Sequence, residues 1–454
     1  MMLRHIQSMR RTFFQLAGMV LVCASLAGAS ATFFLEEPYG KMGFFTATGH
    51  AAVYLSGVCA DSPLVLRSCS PGETGVVISR YDGVGGYDWI AIPLIPYLYA
   101  VERPEDIPLF ADAKMVALLR DRYRRKYLES VAPDGSNGEG PGGNWYELVG
   151  SSYDRTIYGF EVATAPEQDE ALIRKLNSSA NVSHFHLTSN NCADFAKDII
   201  NFYYPKALHR SVMADAGMTT PKQMAKMLVK FNRRHPEIAY SRVIIAQVPG
   251  SMPRSSTVHG VVESFFKAKK YIVPSAVASP IFAGCVFAVY VATGTGHFEP
   301  ARDALVFDPT HAPEPPMGRE DRLAYQHQLK HFLKDADPVT SSQNVDKMWS
   351  KLQAKARPDF DDEGRLILEM QVDGHLVRVG ATAGNVLSGD SPQLVRELIE
   401  ARLQSELRRK SSRAISEDEV ARDWKLLQQT MPANDSPLTA RSAPRSESVR
   451  GNRP

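Results

Sequence analysis

The chain has 454 residues, with 52 Lys+Arg against 50 Asp+Glu, a net charge of +2, and 44% hydrophobic and 22% charged residues. A balance this close to neutral lacks the basic excess that drives phosphate-backbone binding, so nucleic acid is not an expected partner. The length implies two or three folding units, and five cysteines in a chain this long do not make a disulfide-stapled miniprotein.

At the N-terminus, Arg4, His5, Arg10 and Arg11 precede an apolar run from Phe13 to Leu26 and two A-x-A sites, Ala27-Gly28-Ala29 and Ala29-Ser30-Ala31. This layout predicts a secretory signal over 1–31. The alternative is an uncleaved anchor whose apolar run continues through Phe33, Phe34 and Leu35. Either outcome places the following domain outside the cytoplasm, in the cell envelope. Ala51–Leu55, Leu64–Arg67 and Val76–Tyr81 then read as a small antiparallel meander. Cys59 and Cys69 flank its second strand and are placed either to pair in an oxidising compartment or to stay free.

Asp112–Leu128 has helical spacing, and Pro133–Gly143 is a glycine-rich, mobile loop. A strand over Thr156–Val162, a helix over Pro166–Leu176 and a strand over Val182–Leu187 follow, giving α+β order and not βαβ repetition. Next comes Ser189-Asn190-Asn191-Cys192-Ala193-Asp194-Phe195-Ala196. Phe195, Ala196, Ile199, Phe202 and Tyr203 recur at helical spacing, so Cys192 falls in the first turn of an inward-packed helix. Unpaired N–H groups there favour a thiolate, the nucleophilic form. With Asn190 or Asn191 as side-chain donors, they also make a place for an oxyanion. A buried structural thiol is the alternative reading.

Upstream, Thr48-Gly49-His50-Ala51-Ala52-Val53-Tyr54-Leu55 puts a histidine at the entry of a strand, behind a glycine that permits close backbone approach. A Gly-His strand far ahead of an Asn-Cys helix resembles the circularly permuted papain-like families. These are the lecithin:retinol acyltransferase-like proteins, the permuted NlpC-type hydrolases and, closest in kind, the periplasmic domain of Lnb-type lipoprotein N-acyltransferases. The resemblance covers roughly Tyr39 to Tyr204 and rests on these two motifs. It implies Cys192 as nucleophile, His50 as the base that activates it, and a polar residue on a neighbouring strand that orients the imidazole. Asp82 is the candidate for that third position, with Ser68 behind it; both also read as ordinary turn or strand-edge residues. No cofactor is implied. His184 and His186, alternating just before Cys192, offer a competing zinc set, but no CxxC or HExxH accompanies them and no metal is expected. Gly83, Gly85 and Gly86 lack a following lysine and read as a loop.

Thr219-Thr220-Pro221 caps a further helix, and a strand covers Val243–Val248. Tyr271–Gly294 is free of charge, with Lys267, Lys269 and Lys270 before it and Glu299 after it. It is long enough to predict a membrane span over 271–294, while Pro274 and Pro280 leave a buried hairpin as the alternative. An accessory α+β region over 296–430 contains a β-hairpin at Asp373-Gly374, a helix opening at Ser391-Pro392 and a Ser416/Glu419 capping box; 431–454 reads as a disordered tail.

The expected architecture is an α+β, permuted papain-like thiol domain over 36–265, with a small antiparallel sheet and a cysteine-bearing helix, tethered to a membrane. The expected function is acyl transfer or hydrolysis at an acyl or amide bond of a lipid or lipoprotein substrate. A cell-wall amidase and a noncatalytic envelope scaffold are the alternatives.

Overall fold

A strand buried along its whole length has protein on both faces, and Ser30–Glu36 (β1) is such a strand. In the computed structural model it lies fourth in a seven-stranded sheet ordered β6-β5-β2-β1-β7-β8-β9. The structure describes residues 29–39, 48–316 and 356–382, apart from breaks at 109–110, 136–139, 249, 251, 294, 373–374 and 381, together with 318–320 and 323. The other strands are β2 (His50–Leu55), β5 (Val76–Ser79), β6 (Ile90–Pro93), β7 (Ile157–Ala163), β8 (Tyr240–Ile245) and β9 (Leu305–Val306). All neighbours are antiparallel except β8 and β9. β3 (Val58–Ser62) and β4 (Val65–Ser68) form a separate hairpin, so the expected meander divides between two sheets. Cys59 and Cys69 are joined in a disulfide across that hairpin.

Alternation along β1 sorts its side chains to two faces. Ala31, Phe33 and Leu35 join a core with Val53, Leu55, Phe160 and Val162 of the neighbouring strands. Three helices cover that face: α3 (Pro166–Ser178) through Leu172 and Leu176, α4 (Cys192–Tyr203) through Phe195, Ile199 and Ile200, and α5 (Pro221–Arg234) through Met224 and Leu228. On the other face Phe34 stacks against Tyr97 of α1 (Leu94–Tyr99), at 6.3 Å. The helix α2 (Ala113–Tyr123), capped by Asp112, continues into a wider turn over Arg124–Leu128.

Several expectations change. Phe33, Phe34 and Leu35 belong to the buried central strand and not to an anchor. Of the two A-x-A sites, only cleavage after Ala29 would leave β1 whole, because Ser30 and Ala31 are its first residues. Val182–Leu187 is not a strand: the Ser183 N–H donates to the Gly86 carbonyl and the Asn181 amide binds the backbone of Asp88 and Trp89, tying the segment to a loop. The expected span over 271–294 is two helices, α7 (Lys269–Ala278) and α8 (Pro280–Thr293). Pro280 disfavours helical geometry at Ser279, which sits at φ −151°. No helix among the described residues is long and apolar enough to cross a membrane.

The first compact unit runs to Pro315, beyond the expected limits of 36–265 at both ends. Among its described residues β1 is the first strand, and after α8 the chain returns to the sheet: Phe298 stacks on Phe160 and β9 adds to β8. The second unit begins at Pro316 and contains an antiparallel sheet of β10 (Arg357–Phe360), β11 (Leu366–Val372) and β12 (His375–Gly380), with an Arg378–Glu369 pair across its strands. The expected helices at 391–407 and 416–427 and the tail at 431–454 lie outside the described residues.

Candidate active site

Cys192 is the first residue of α4, and its helix start is built by the residue before it. The Asn191 side-chain oxygen accepts from the Ala193 and Asp194 N–H groups at 2.9 and 3.1 Å. Its amide nitrogen donates to the carbonyls of Leu187 and Thr219 at 2.9 and 3.1 Å. Both hydrogens of that amide are therefore committed, and Asn191 is a capping residue, not the free oxyanion donor expected. Asn190 is likewise engaged, accepting from Arg80 and donating to the His184 carbonyl. Asp194 completes the frame from inside. Its carboxylate receives the Thr219 hydroxyl, Lys197 and Arg210, and these partners hold its pKa below the usual value against the opposing effect of burial.

His50 opens β2 opposite Glu36 of β1. The glycine before it stands at φ +71°, and a Cβ there would lie 2.1 Å from the Glu36 carbonyl oxygen, so only glycine lets the chain enter the strand at this point. The imidazole stacks on Tyr81 at 5.4 Å, and its Nε2 meets the Ser79 hydroxyl at 3.0 Å. Ser79 donates its own proton to the Ala51 carbonyl at 2.7 Å. The Nε2 nitrogen therefore carries the hydrogen of the shared bond, leaving Nδ1 as the basic atom. The sulfur of Cys192 faces the Ala51 and Ala193 N–H groups, which places it beside the residue that follows His50.

Ser79 thus occupies the orienting position for which Asp82 was the candidate. Among the described residues the imidazole's side-chain hydrogen bond is with Ser79. Asp82 lines the cleft from the loop beyond β5. Ser68 lies on the β3–β4 hairpin, away from the site. The signal for Ser79 was present in sequence as the polar end of Val76-Val77-Ile78-Ser79, but its use depends on β5 pairing with β2. His184 and His186 sit in the loop before α4, with His186 bound by Thr188 and Ser189.

The cleft joining Cys192 and His50 has a volume of about 230 Å³. Its wall is divided. Phe185, Leu187, Met218 and Val261 supply apolar surface, while Arg80, Asp82, Glu147 and Arg155 supply charge. Sequence reasoning missed the element behind this charged wall, a buried network around Glu36. That carboxylate accepts from Tyr97 and from Ser151 at 2.8 Å, and pairs with Arg155 at 3.2 Å. Arg155 also stacks over Tyr39 at 4.3 Å.

Burial sets the resting protonation state. It lowers His50 to about 4, with Glu147 opposing the shift and Arg155 reinforcing it. It raises Cys192 to about 12, helped by the Glu147 and Glu36 carboxylates and only partly countered by the two N–H groups. The resting pair is therefore neutral thiol and neutral imidazole, not the helix-stabilised thiolate expected, because desolvation outweighs the helix terminus.

A histidine held neutral makes folding sensitive to acid. The unfolded chain takes up a proton near pH 6.5 and the folded chain only near 4, so stability falls as pH drops through that window, by about 3 kcal/mol in all. In ¹⁵N-histidine NMR, His50 should show a protonated Nε2 and a bare Nδ1 down to about pH 4 to 5. An imidazolium signal already at pH 6.5 would contradict this assignment.

Comparison with protein-family models, curated proteins and solved structures finds no match to the chain.

Proposed function

We propose that the first unit is a thiol acyltransferase or hydrolase of permuted papain-like type, acting in the cell envelope at an acyl or amide bond of a lipid or lipoprotein. The observation that carries the proposal is the convergence of Cys192 of α4 and His50 of β2 at one cleft, with the buried Ser79 of β5 bound to the far side of the imidazole. As sulfur attacks the substrate carbonyl carbon, Nδ1 of His50 takes the thiol proton. The tetrahedral intermediate then collapses, and the imidazolium returns that proton to the departing alcohol or amine, leaving a thioester on Cys192. An amine or water attacks the thioester while His50 accepts its proton, and the thiol is restored. The Ala51 N–H beside the sulfur is a donor for the developing oxyanion, whereas the Ala193 N–H is already given to the Asn191 cap. No cofactor enters this scheme.

The cleft volume bears on the substrate. At about 230 Å³ it is smaller than the roughly 300–1,000 Å³ of pockets that enclose drug-sized ligands. It suits a reacting carbonyl and its immediate neighbours, with the remaining acyl chain held elsewhere. The charged wall of Arg80, Asp82, Glu147 and Arg155 favours a second reading, an amidase that binds charged wall peptides.

The deciding experiment incubates the purified chain in detergent with diacylated or triacylated lipopeptides and, separately, with peptidoglycan fragments, reading products by mass spectrometry. Loss or transfer of an acyl chain that disappears in Cys192→Ala is the expected result. Cleavage confined to the wall fragments would select the second reading, and no turnover of either would favour a scaffold.

A further inference from the structure

From Tyr271 to Gly296 the chain carries no charged residue, and the two helices it forms bury none of their side chains. Val277 and Ile281, either side of the break at Ser279, are each 82% exposed. Val273, Phe282, Phe287 and Val291 are exposed as well. Apolar surface this continuous is rare on a water-facing domain and marks a contact.

The arm is nevertheless built onto the domain. It rests on α6 (Val261–Lys267), where Phe265 meets Tyr271 at 6.1 Å and Phe282 at 5.9 Å, and Phe266 meets Phe287 at 5.4 Å and Tyr290 at 4.8 Å.

We infer that the α7–α8 arm inserts into one leaflet of an anionic lipid bilayer and returns on the same side. Three observations select lipid as the occupant. First, length: ten and fourteen residues give helices of about 15 and 21 Å, each short of the roughly 30 Å hydrocarbon core, so neither spans it. Second, backbone satisfaction at the turn. The Ser279 hydroxyl accepts from the Phe282 N–H, its carbonyl accepts from Ala283, and its own N–H donates to Ser275, so the break between the helices leaves few polar groups for a low-dielectric medium to penalise. Third, charge. Lys267, Lys269 and Lys270 stand where the chain enters the arm, with Lys270 over the Tyr271 ring, and Lys226 donates to the Thr293 carbonyl where the chain leaves it. Cations and tyrosines beside an uncharged apolar arm match the headgroup layer of an anionic membrane.

The arm also bears on the proposed chemistry, and this consequence alone rests on that reading. Val261, at the start of α6, lines the cleft, while Phe265 and Phe266 carry the arm. Seven helical residues span about 10 Å, so an inserted arm holds the Cys192 cleft close to the headgroups. A carbonyl near the interface then reaches the cleft while its acyl chain stays in the bilayer.

The test uses the exposed Cys285 of α8 as a reporter in the full chain. The protein is added to preformed vesicles of phosphatidylcholine with phosphatidylglycerol, and Cys285 is treated with a water-soluble maleimide. Vesicles should slow labelling at least tenfold, and Val277→Asp/Ile281→Asp should remove that protection. Lys269→Glu/Lys270→Glu should weaken vesicle binding by roughly tenfold or more, the loss shrinking in high salt. Lys270→Cys and His297→Cys, each in a Cys285→Ser background, should both remain open to the reagent outside the vesicles, which identifies a re-entrant arm. Equal labelling of Cys285 with and without vesicles overturns the proposal. So does protection of only one flank, which indicates a span, or protection that depends on protein concentration without lipid, which indicates pairing of two copies. None of these readouts requires turnover, so failure here leaves the thiol chemistry standing, and failure of that chemistry leaves the arm standing.

Discussion

Replacing Arg155 by methionine should destabilise the first unit by about 3–5 kcal/mol at neutral pH, the largest loss expected from a single change outside the core. The guanidinium is 4% exposed and its partner Glu36 1%. Removing the cation leaves Glu36 deep in the sheet with, among the described residues, the Tyr97 and Ser151 hydroxyls as its side-chain donors. Glu37 is held in the same way next door, by the hydroxyls of Tyr158 at 3.0 Å and Ser255 at 2.6 Å, so the polar layer has little room to rearrange. Adding Glu36→Gln should recover part of the loss, since it removes the stranded charge, and the double variant should be more stable than Arg155→Met alone. Urea unfolding of the three variants measures both effects. A loss under about 1 kcal/mol for Arg155→Met would show that this layer tolerates an unpaired carboxylate and that its role lies in the cleft instead.

The parts of the site legible in sequence were those with a local signature. A cap, a cysteine and an apolar face at helical spacing locate α4, because helix starts are encoded within a few residues. Gly49-His50 was legible for the same reason: a glycine forced by close backbone approach sits directly before the strand it serves.

The rest depends on partners distant in sequence. Ser79 becomes an orienting residue only through the pairing of β5 with β2, and Glu36 and Arg155, 119 positions apart in sequence, meet only once β1 pairs with β7, whose first residue lies two beyond Arg155. Asn191 shows the opposite failure. Its residue type suits both a cap and an oxyanion donor, and only the geometry, with all its side-chain hydrogens committed, decides between them. The charge-free run at 271–294 was long enough to span a bilayer by composition, and a single proline at 280 was enough to divide it.

The protonation state of Cys192 leads to the second large effect. A shift of the thiol from an ordinary value near 9 to about 12 removes roughly a thousandfold of the thiolate present at neutral pH. In the free protein, iodoacetamide should therefore modify the exposed Cys285 first, and Cys192 about three orders of magnitude more slowly than an unperturbed thiol. The Cys192 rate should climb about tenfold per pH unit through pH 9, without an inflection between 6 and 8, since His50 stays neutral there and forms no ion pair with the thiol. His50→Ala should leave this slow labelling nearly unchanged. The same substitution should act differently on an acylating electrophile that fills the cleft. There the sulfur attacks and loses its proton in one step, so the base is needed, and His50→Ala should slow acylation by about 10²–10⁴-fold. The contrast between the two reagents is the informative quantity, because a merely structural histidine would alter both rates alike. A labelling rate for Cys192 that is fast and flat from pH 5 to 8 would mean a standing thiolate–imidazolium pair, and would refute the neutral resting state derived from burial.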